Sequence, residues 1–537
     1  MSLGPVVTIA YRLANDSKDR SLTILGDGRL TGQSQNNDLG VEVLGNTEVR
    51  RVMVRPRVDV TVDDIVATMT LALRDADALF LNGYNSWTDS VERPVNDRMR
   101  GLTRAPKKLV KQYVLDGSGD YRFVEEDPRR GHMHGFGYGY VRQGDEVLLF
   151  GSLNEDTGLT VIREDLEAGT LTFQKEPPAR TLKAGESREL LSLCVVGGKL
   201  EDAVDSWLAL AGIACRKTRP LAGYTSWYRH YDQIDSWKLS QDLDGTAKIL
   251  MGMDLDGVDP VFQIDDGYAK VGDWLECDCA RFPLGVAELA RKASEQGLLP
   301  GIWLAPFVCS RESRVFAEHK DWLLCGDDGQ PVMTGDHWKG AYALDVRKGE
   351  VRDYLQGVLR TVTEDWGFRL LKLDFLYGAC MLPHDGLNRG ELMADALDLI
   401  RNSVGEDVRL LFCGVPLVSA FGRCEYCRIG PDVGLDWDDK PHMRLLHRER
   451  VSTKWSLANA RGRAHLDGKA FRCDPDVFFL REDGVSFTGE QRAEMLDTDA
   501  NCGGVLFTSD DMSSWNAAQL ECYHNLLHRF KRHNGLA

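Results

Sequence analysis

The first 210 or so residues carry short segments in which apolar and polar positions alternate, interrupted by Gly, Asn and Asp. Residues 41–62, 145–153, 158–164 and 169–176 are examples. A period of two is typical of half-buried strands, and long helical periodicity is nearly absent from this part of the chain. The pattern predicts a large antiparallel β-sandwich, followed by a helix and linker within residues 200–223.

From about residue 220, short apolar segments alternate with helical patterns, which is typical of β/α units. Eight such segments are predicted strands: 222–228, 260–268, 299–307, 369–378, 408–414, 427–432, 470–480 and 503–511. Eight units predict a (β/α)8 barrel. The main alternative is a doubly wound sheet, but the Gly-rich phosphate turn that would favour it does not follow the first strand.

The domain division follows from this change of pattern. We expect residues 1–212 to form the β-sandwich and residues 213–537 to form the barrel, which ends in a helix within residues 513–533. No β-rich pattern comes after that helix, so a C-terminal β domain is expected to be absent. The sequence carries no signal for an oligomeric state.

Charge and cysteine content narrow the class of protein. The formal net charge is −17, which disfavours nucleic acid as a partner. No apolar run is long enough to span a bilayer, and the N-terminus lacks the pattern of a secretory signal. The 13 scattered cysteines predict reduced thiols and a cytoplasmic location. A zinc site formed by Cys277, Cys279, Cys424 and Cys427 is an alternative.

Acidic and aromatic residues collect at the carboxyl ends of the predicted strands, which is where active sites of β/α barrels lie. The acidic ones are Asp265, Asp266, Asp374, Asp432, Asp474, Asp476, Asp510 and Asp511, and the aromatic ones are Trp227, Tyr228 and Trp303. A single Asp at a strand end is more often a turn or helix cap, and a Trp in a strand is more often core. Several Asp could also bind Mg²⁺, although the histidines lie elsewhere and no HxH or HExxH occurs.

Strand parity distinguishes some of these carboxylates. Lys372 and Asp374 lie two positions apart, so both side chains point to one face of the strand, and a lysine there would favour the ionised carboxylate. Arg428 and Asp432 also share a face if their segment is extended. A paired nucleophile and general acid are the groups that glycoside hydrolysis requires, and a separation of about 5–5.5 Å corresponds to retention of configuration.

The motifs GYTSWY, QIDDGY, GIWLAPF, LKLDFLYGA, CGVPL, RIGPD and DPDVFFLRE occur in this order, with NGYNSW upstream. In this the chain resembles the α-galactosidases of glycoside hydrolase family 36, from about residue 80 to 511. The resemblance implies Asp374 as nucleophile and Asp432 as general acid/base. It implies that the sugar is bound by Trp87, Trp227, Tyr228, Asp265, Asp266, Trp303, Lys372, Cys413 and Arg428.

The resemblance implies a retaining hydrolase of terminal α-galactosides, with a small carbohydrate as its partner and no metal or cofactor. Two departures leave the sugar open: the chain stops where relatives usually continue into a C-terminal β domain, and Val415 stands where near relatives often have a small polar residue. The alternatives are an α-N-acetylgalactosaminide or β-L-arabinopyranoside as substrate, and transfer to a sugar acceptor. A metal-dependent isomerase or lyase and a non-catalytic carbohydrate-binding protein are further ones. No role follows for the segment Asp336–Trp338.

Overall fold

Two antiparallel sheets form the N-terminal part of the protein. The computed structural model describes residues 6–24, 32–74, 76–99, 108, 110, 119, 122–125, 127–438 and 451–537. In spatial order, the six-stranded sheet consists of β2 (Asp16–Ile24), β1 (Val6–Leu13), β6 (Val60–Thr70), β13 (Thr170–Lys175), β12 (Thr160–Asp165) and β9 (His134–Phe136). The eight-stranded sheet consists of β3 (Gly32–Gln35), β4 (Leu39–Gly45), β5 (Val49–Pro56), β14 (Arg188–Gly198), β11 (Glu146–Ser152), β10 (Tyr138–Gln143), β7 (Ala78–Leu81) and β8 (Arg93–Pro94).

The inward faces of these two sheets share one apolar core. Ile9 and Ile65 from the first sheet are fully buried in the same cluster as Val54 and Leu191 from the second. Along β1 the buried positions alternate with half-buried ones, which is the period of two read from the sequence. The predicted antiparallel, two-layered region is therefore confirmed.

A nine-membered parallel sheet follows. Its members are β15 (Leu221–Thr225), β16 (Asp259–Ile264), β17 (Leu299–Leu304), β21 (Leu370–Leu373), β22 (Arg409–Phe412), β23 (Tyr426–Arg428), β24 (Arg472–Asp474), β25 (Val477–Phe478) and β26 (Val505–Thr508). Each of the eight predicted strand segments overlaps a member of this sheet, and one segment contains both β24 and β25. The hydrogen-bonded order runs β24-β23-β22-β21-β17-β16-β15-β26-β25, so its two ends are separated in the chain only by Pro475 and Asp476.

Helices alternate with these strands. The described α-helices are α1 (Leu200–Ala211), α2 (Trp227–His230), α3 (Ser236–Leu250), α4 (Ala287–Glu295), α5 (Arg314–Glu318), α6 (Gly349–Arg360), α7 (Arg389–Asn402), α8 (Thr453–Arg463), α9 (Gly489–Asn501) and α10 (Ala517–His533). Asn388 caps α7 by accepting from the backbone N–H of Glu391, whose side chain accepts from Asn388 N in return. Within the described ranges, no helix is both long and apolar enough to cross a membrane.

A small antiparallel sheet lies in the loops beyond β17. It consists of β18 (Val308–Ser310), β19 (Met333–Gly335) and β20 (Ala341–Ala343), with β20 in the middle. The turn between β19 and β20 contains Trp338 and Lys339, both with left-handed backbone (φ 51° and 61°). This loop sheet places the turn beside the carboxyl ends of the large sheet, where Trp338 packs against Phe375.

Arg463 joins the N-terminal sheets to the parallel sheet. Its guanidinium is fully buried and donates to Asn82 Oδ1 (3.0 Å), to the carbonyls of Asn85 (3.0 Å) and Ser86 (2.8 Å), and to the carbonyl of Ile429 (3.1 Å). The first three acceptors belong to the loop after β7, and the fourth follows β23. One side chain thus fixes the N-terminal loop over the rim of the parallel sheet.

Candidate active site

Asp374 lies immediately after β21 and is buried, with 9% of the residue exposed. Its Oδ2 accepts a hydrogen bond from the indole N–H of Trp303 at 3.1 Å, and its Oδ1 accepts from the backbone N–H of Phe375 at 2.8 Å. Burial raises the pKa of Asp374, while the positive charge of Lys372 and the two N–H donors act in the opposite direction. The carboxylate is therefore oriented by fixed donors on a rigid strand end.

Lys372 lies on the same strand, but its ion-pair partner is Asp265. Its ammonium donates to Asp265 Oδ2 at 2.8 Å, and both side chains are almost completely buried. Although burial disfavours the charge, the Asp265 carboxylate raises the pKa of Lys372 above its usual value. The sequence predicted that Lys372 favours the ionised form of Asp374, and its charge does act in that direction. Its direct partner, however, comes from the end of β16, with β17 between the two strands.

Asp266 is bonded to a residue that the sequence analysis left without a role. The indole N–H of Trp338 donates to Asp266 Oδ2 at 2.8 Å, and the Trp338 ring packs against Phe375 with centroids 4.8 Å apart. Burial raises the pKa of Asp266 to about 7, and the neighbouring charge of Asp265 acts in the same direction. Trp338 thus joins Asp266 to the surroundings of Asp374.

Arg428 ends β23 and shares its guanidinium among three carboxylates. Nη1 donates to Asp432 Oδ1 at 2.9 Å, Nε donates to Asp474 Oδ2 at 3.2 Å, and Nη2 pairs with Asp476 Oδ1 at 2.9 Å. Asp432 is the most accessible of the three, with 44% of its side chain exposed, against 3% for Asp474 and 1% for Asp476. The shared-face argument for Arg428 and Asp432 was wrong, because β23 ends at Arg428 and Asp432 lies in the following loop.

Trp87 reaches the site from the N-terminal loop. Its indole N–H donates to the Cys413 sulfur at 3.0 Å, and its ring meets Phe375 edge to face at 5.2 Å. Gly414 has a left-handed backbone (φ 55°), and a Cβ there would lie 2.9 Å from the Trp87 ring, so a larger residue would displace it. Val415 is buried, and its carbonyl accepts from Ser86 N at 2.9 Å.

The two aromatic residues of the first strand segment lie in the short helix α2 after β15. Tyr228 is buried, and its hydroxyl donates to Asp476, which places it behind the rim carboxylates. Trp227 is partly buried and meets Tyr231 edge to face at 5.3 Å. The structure therefore places Trp303 beside Asp374 and Tyr228 beside the Arg428 cluster, whereas Trp227 lies further out.

A cavity of about 710 Å³ adjoins this site. Its lining includes Asp266 and Trp338, together with the ion pairs Asp278–Arg281 and Glu276–Arg314, but neither Asp374 nor Asp432. Because Trp338 also contacts Trp303 and Phe375, its ring forms part of the wall between the cavity and the surroundings of Asp374. The volume is in the range of small-molecule sites.

All thirteen cysteines are free thiols. Across the part of the chain that the structure describes, no three His, Cys, Asp or Glu side chains are grouped so as to hold a metal ion. The four cysteines considered for zinc are all described and do not form such a group.

The chain matches a known protein family over part of its length. Residues 226–381 match the Melibiase family model, so the match begins just before Trp227 and runs past Asp374. Among curated proteins, the α-galactosidase Mel36A of Lactobacillus acidophilus is 29% identical over 136 residues, which is 24% of this chain and 17% of that protein. The α-galactosidase AgaA of Geobacillus stearothermophilus is 27% identical over 110 residues, 20% of this chain and 14% of that protein. The chain thus aligns with less than a fifth of the length of either relative.

Solved structures match over much more of the chain. TtGalA, an α-galactosidase from Thermus thermophilus solved with p-nitrophenyl α-D-galactopyranoside, is 25% identical. The match has a TM-score of 0.72 and covers 93% of this chain and 95% of that one. The AgaA structure, at 14% identity and a TM-score of 0.59, shares the fold over 92% of this chain and 67% of its own.

A parallel β/α sheet that gathers carboxylates, a lysine and indoles at its carboxyl-terminal rim is an arrangement typical of glycoside hydrolases with a TIM-barrel-like domain. Residues 226–381 thus match the Melibiase family, and the chain is similar over most of its length to the α-galactosidase TtGalA.

Proposed function

We propose that the protein is a retaining α-galactosidase that releases terminal α-galactosyl residues by double displacement. The observation that carries the proposal is the geometry of Asp374, a buried carboxylate held by the indole N–H of Trp303 and its own following backbone N–H. A carboxylate held in one orientation is suited to act as the nucleophile that attacks the anomeric carbon of a bound sugar. The aryl α-galactoside bound by TtGalA supports the choice of sugar.

In the first step, Asp374 attacks the anomeric carbon, and the bond to the leaving oxygen breaks as Asp432 donates a proton to that oxygen. In the second step, Asp432 removes a proton from water, and the resulting hydroxide attacks the anomeric carbon and displaces Asp374. Two inversions give net retention. The greater exposure of Asp432 suits a group that must exchange its proton with water in every cycle.

Several of the other predicted site residues are suited to binding the sugar. The Asp265–Lys372 pair offers acceptors and donors at the end of β16 and on β21, and Asp266 adds a second carboxylate, so together they can bind several hydroxyls of one ring. Trp303 and Trp87 supply aromatic surface, and Cys413 fixes the Trp87 indole. Because Trp87 comes from the N-terminal sheets, we assign this part of the chain to the sugar pocket.

The proposal extends to architecture and location. We place the domain boundary at residues 212 and 213, and we take the parallel sheet to close into a (β/α)8 barrel through residues 474–477, where the two ends of the strand order meet. The thirteen free thiols support a reducing compartment, and we assign the protein to the cytoplasm.

A panel of aryl glycosides tests the function. We expect turnover of the α-galactoside to exceed that of the α-N-acetylgalactosaminide, the β-L-arabinopyranoside and the β-galactoside. If only another glycoside is hydrolysed, the proposed substrate is wrong but the proposed mechanism stands. Binding without turnover, or turnover that a chelator abolishes, would refute the mechanism itself. Adding a sugar acceptor and measuring the ratio of transfer to hydrolysis distinguishes transglycosylation.

A further inference from the structure

Asp476 contacts the two groups that flank Asp432, namely the Arg428 guanidinium and the Val433 backbone. The proposed function makes Asp432 the general acid/base. Asp476 Oδ1 pairs with Arg428 Nη2 at 2.9 Å, and the same guanidinium donates to Asp432. Asp476 Oδ2 accepts from the backbone N–H of Val433 at 2.9 Å, and Val433 is the residue after Asp432. One buried carboxylate therefore holds both the ionic partner of Asp432 and the backbone that carries it.

The backbone of Asp476 indicates that this arrangement is imposed by its surroundings. Its φ is 90°, a conformation that a residue with a side chain adopts only when neighbouring contacts require it. Those contacts are present, since Tyr228 donates its hydroxyl to Asp476 and the backbone N–H of Asp476 donates to Asp474 Oδ1 at 3.0 Å. The residue breaks the strand between β24 and β25 and turns its carboxylate toward Arg428.

The charge balance shows why Asp432 needs this neighbour. An arginine bonded to a general acid stabilises the ionised form and so lowers its pKa, which opposes proton donation. Here one guanidinium is divided among Asp432, Asp474 and Asp476, so each carboxylate receives only part of its stabilising effect. Burial raises the pKa of Asp476 to about 7.

We propose that Asp476 is a positioning residue that sets the orientation and proton affinity of Asp432 through Arg428 and the Val433 backbone. The inference rests on the proposed function, which makes Asp432 the general acid/base. The other titratable or charged groups that face this cluster are Lys372, Asp374, Cys413, Tyr228, Tyr231, His337, Asp474 and, behind the strands, Asp499. These groups are unchanged in the variants described next, so a shift in the pH profile of kcat/KM can be assigned to Asp476.

The variant Asp476→Asn keeps an oxygen acceptor for Val433 and removes the charge. With one competing carboxylate fewer, Arg428 pairs more strongly with Asp432 and stabilises its ionised form. Because Asp432 must be protonated for the first step, the basic limb of kcat/KM moves to lower pH. The loss in kcat/KM at neutral pH should be larger for phenyl than for dinitrophenyl α-galactoside, whose leaving group needs little protonation.

Asp510→Asn is the matched control. Asp510 is another buried rim carboxylate, and it accepts from the backbone N–H groups of Leu480 and Arg481. We expect its basic limb to stay at the wild-type position whatever its overall activity. If Asp476→Asn lowers activity equally at every pH and for both leaving groups, or moves the basic limb upward, the proposal is wrong.

A crystal structure of Asp476→Ala supplies a readout that needs no turnover. We expect the Arg428 and Asp432 side chains to move or lose order and the backbone at Val433 to shift. Unchanged positions of all three would overturn the inference, even if the protein proved inactive on every galactoside. A wild-type enzyme without α-galactosidase activity would refute the proposed function separately.

Discussion

The indole N–H of Trp303 and the carboxylate of Asp374 are joined by a 3.1 Å hydrogen bond between two adjacent strand ends. The bond fixes one oxygen of Asp374, and the backbone N–H of Phe375 fixes the other. Because both donors belong to rigid elements, the carboxylate needs little reorganisation as its charge changes during the reaction.

Trp303→Phe should remove this donor and keep most of the ring. A hydrogen bond to a charged group contributes about 1.5–3 kcal/mol, so we expect kcat/KM to fall roughly 10- to 100-fold. The pKa of Asp374, already raised by burial, should rise further, and since the nucleophile must be ionised, the acidic limb of the pH profile should move to higher pH.

Trp274→Phe is the control for this variant. The Trp274 ring packs against Trp303 at 5.7 Å, and its indole nitrogen has no hydrogen-bond partner among the described residues. We expect an unchanged acidic limb. Equal effects of the two substitutions on the pH profile would show that packing, and not the hydrogen bond, matters.

Trp338→Phe tests the role of the segment Asp336–Trp338, to which the sequence assigned none. Burial raises the pKa of Asp266 to about 7, and the Trp338 N–H works against this shift. Without the donor, less Asp266 is ionised at neutral pH, so we expect a higher KM at pH 7 and a smaller difference from wild type at pH 8.5. If the ratio of the variant's KM to that of wild type is the same at both pH values, the ionised form of Asp266 is not the group that accepts hydrogen bonds from the sugar.

Asp266→Asn should stabilise the protein at high pH while impairing binding. The pKa of Asp266 is raised from 3.8 to about 7 on folding. Between these values the folded state binds more protons than the unfolded state, so this group makes stability fall as pH rises from about 4 to 7. An asparagine does not titrate and lacks this effect. The free energy of unfolding of the variant should therefore exceed that of wild type by roughly 2–4 kcal/mol at pH 8 and by almost nothing at pH 4.

Urea unfolding at the two pH values measures this difference. A gain that is equal at pH 4 and pH 8 would mean that the charge of Asp266 is not its cause.

Arg463→Met should loosen the loop that carries Trp87. The substitution removes the donor of the buried carbonyls of Ser86 and Ile429, and each unsatisfied group costs about 1–3 kcal/mol. We expect a loss of about 3 kcal/mol or more in the free energy of unfolding. The surviving folded enzyme should have a raised KM, because Trp87 is no longer held against Cys413.

Arg461→Met is the matched control on the same helix. Arg461 is 44% exposed and pairs with Glu494, so its loss should change stability by less than about 1 kcal/mol and leave KM unaltered. If Arg463→Met leaves the KM at the wild-type value, the loop that carries Trp87 does not contribute to sugar binding.

The sequence predicted the strands well, because their apolar residues alternate or run together over short lengths that end in polar residues. Leu370–Leu373 is fully buried and ends directly before Asp374, as the pattern indicated. The final helix was equally readable, since α10 lies within the predicted range 513–533.

Pairings between distant residues could not be read in the same way. Parity placed Lys372 and Asp374 on one face, but the partner of Lys372 depends on how far β21 lies from the Asp265 loop, which is a property of the whole sheet. Asp474 and Asp476 were identified at the rim, but their common partner Arg428 follows from the register between β23 and β24. Two residues with left-handed backbone, Trp338 and Asp476, make key contacts, and side-chain type does not predict that conformation.

The central claim is retention through a covalent bond to Asp374. The direct measurement is mass spectrometry of an Asp432→Ala variant mixed with dinitrophenyl α-galactoside, followed by peptide mapping. The reactive leaving group permits the first step, and the missing base slows the second, so the glycosyl-enzyme should accumulate. The account predicts one added galactosyl residue, carried by the peptide that contains Asp374. Turnover of the substrate with no adduct, or an adduct on any other residue, would contradict it.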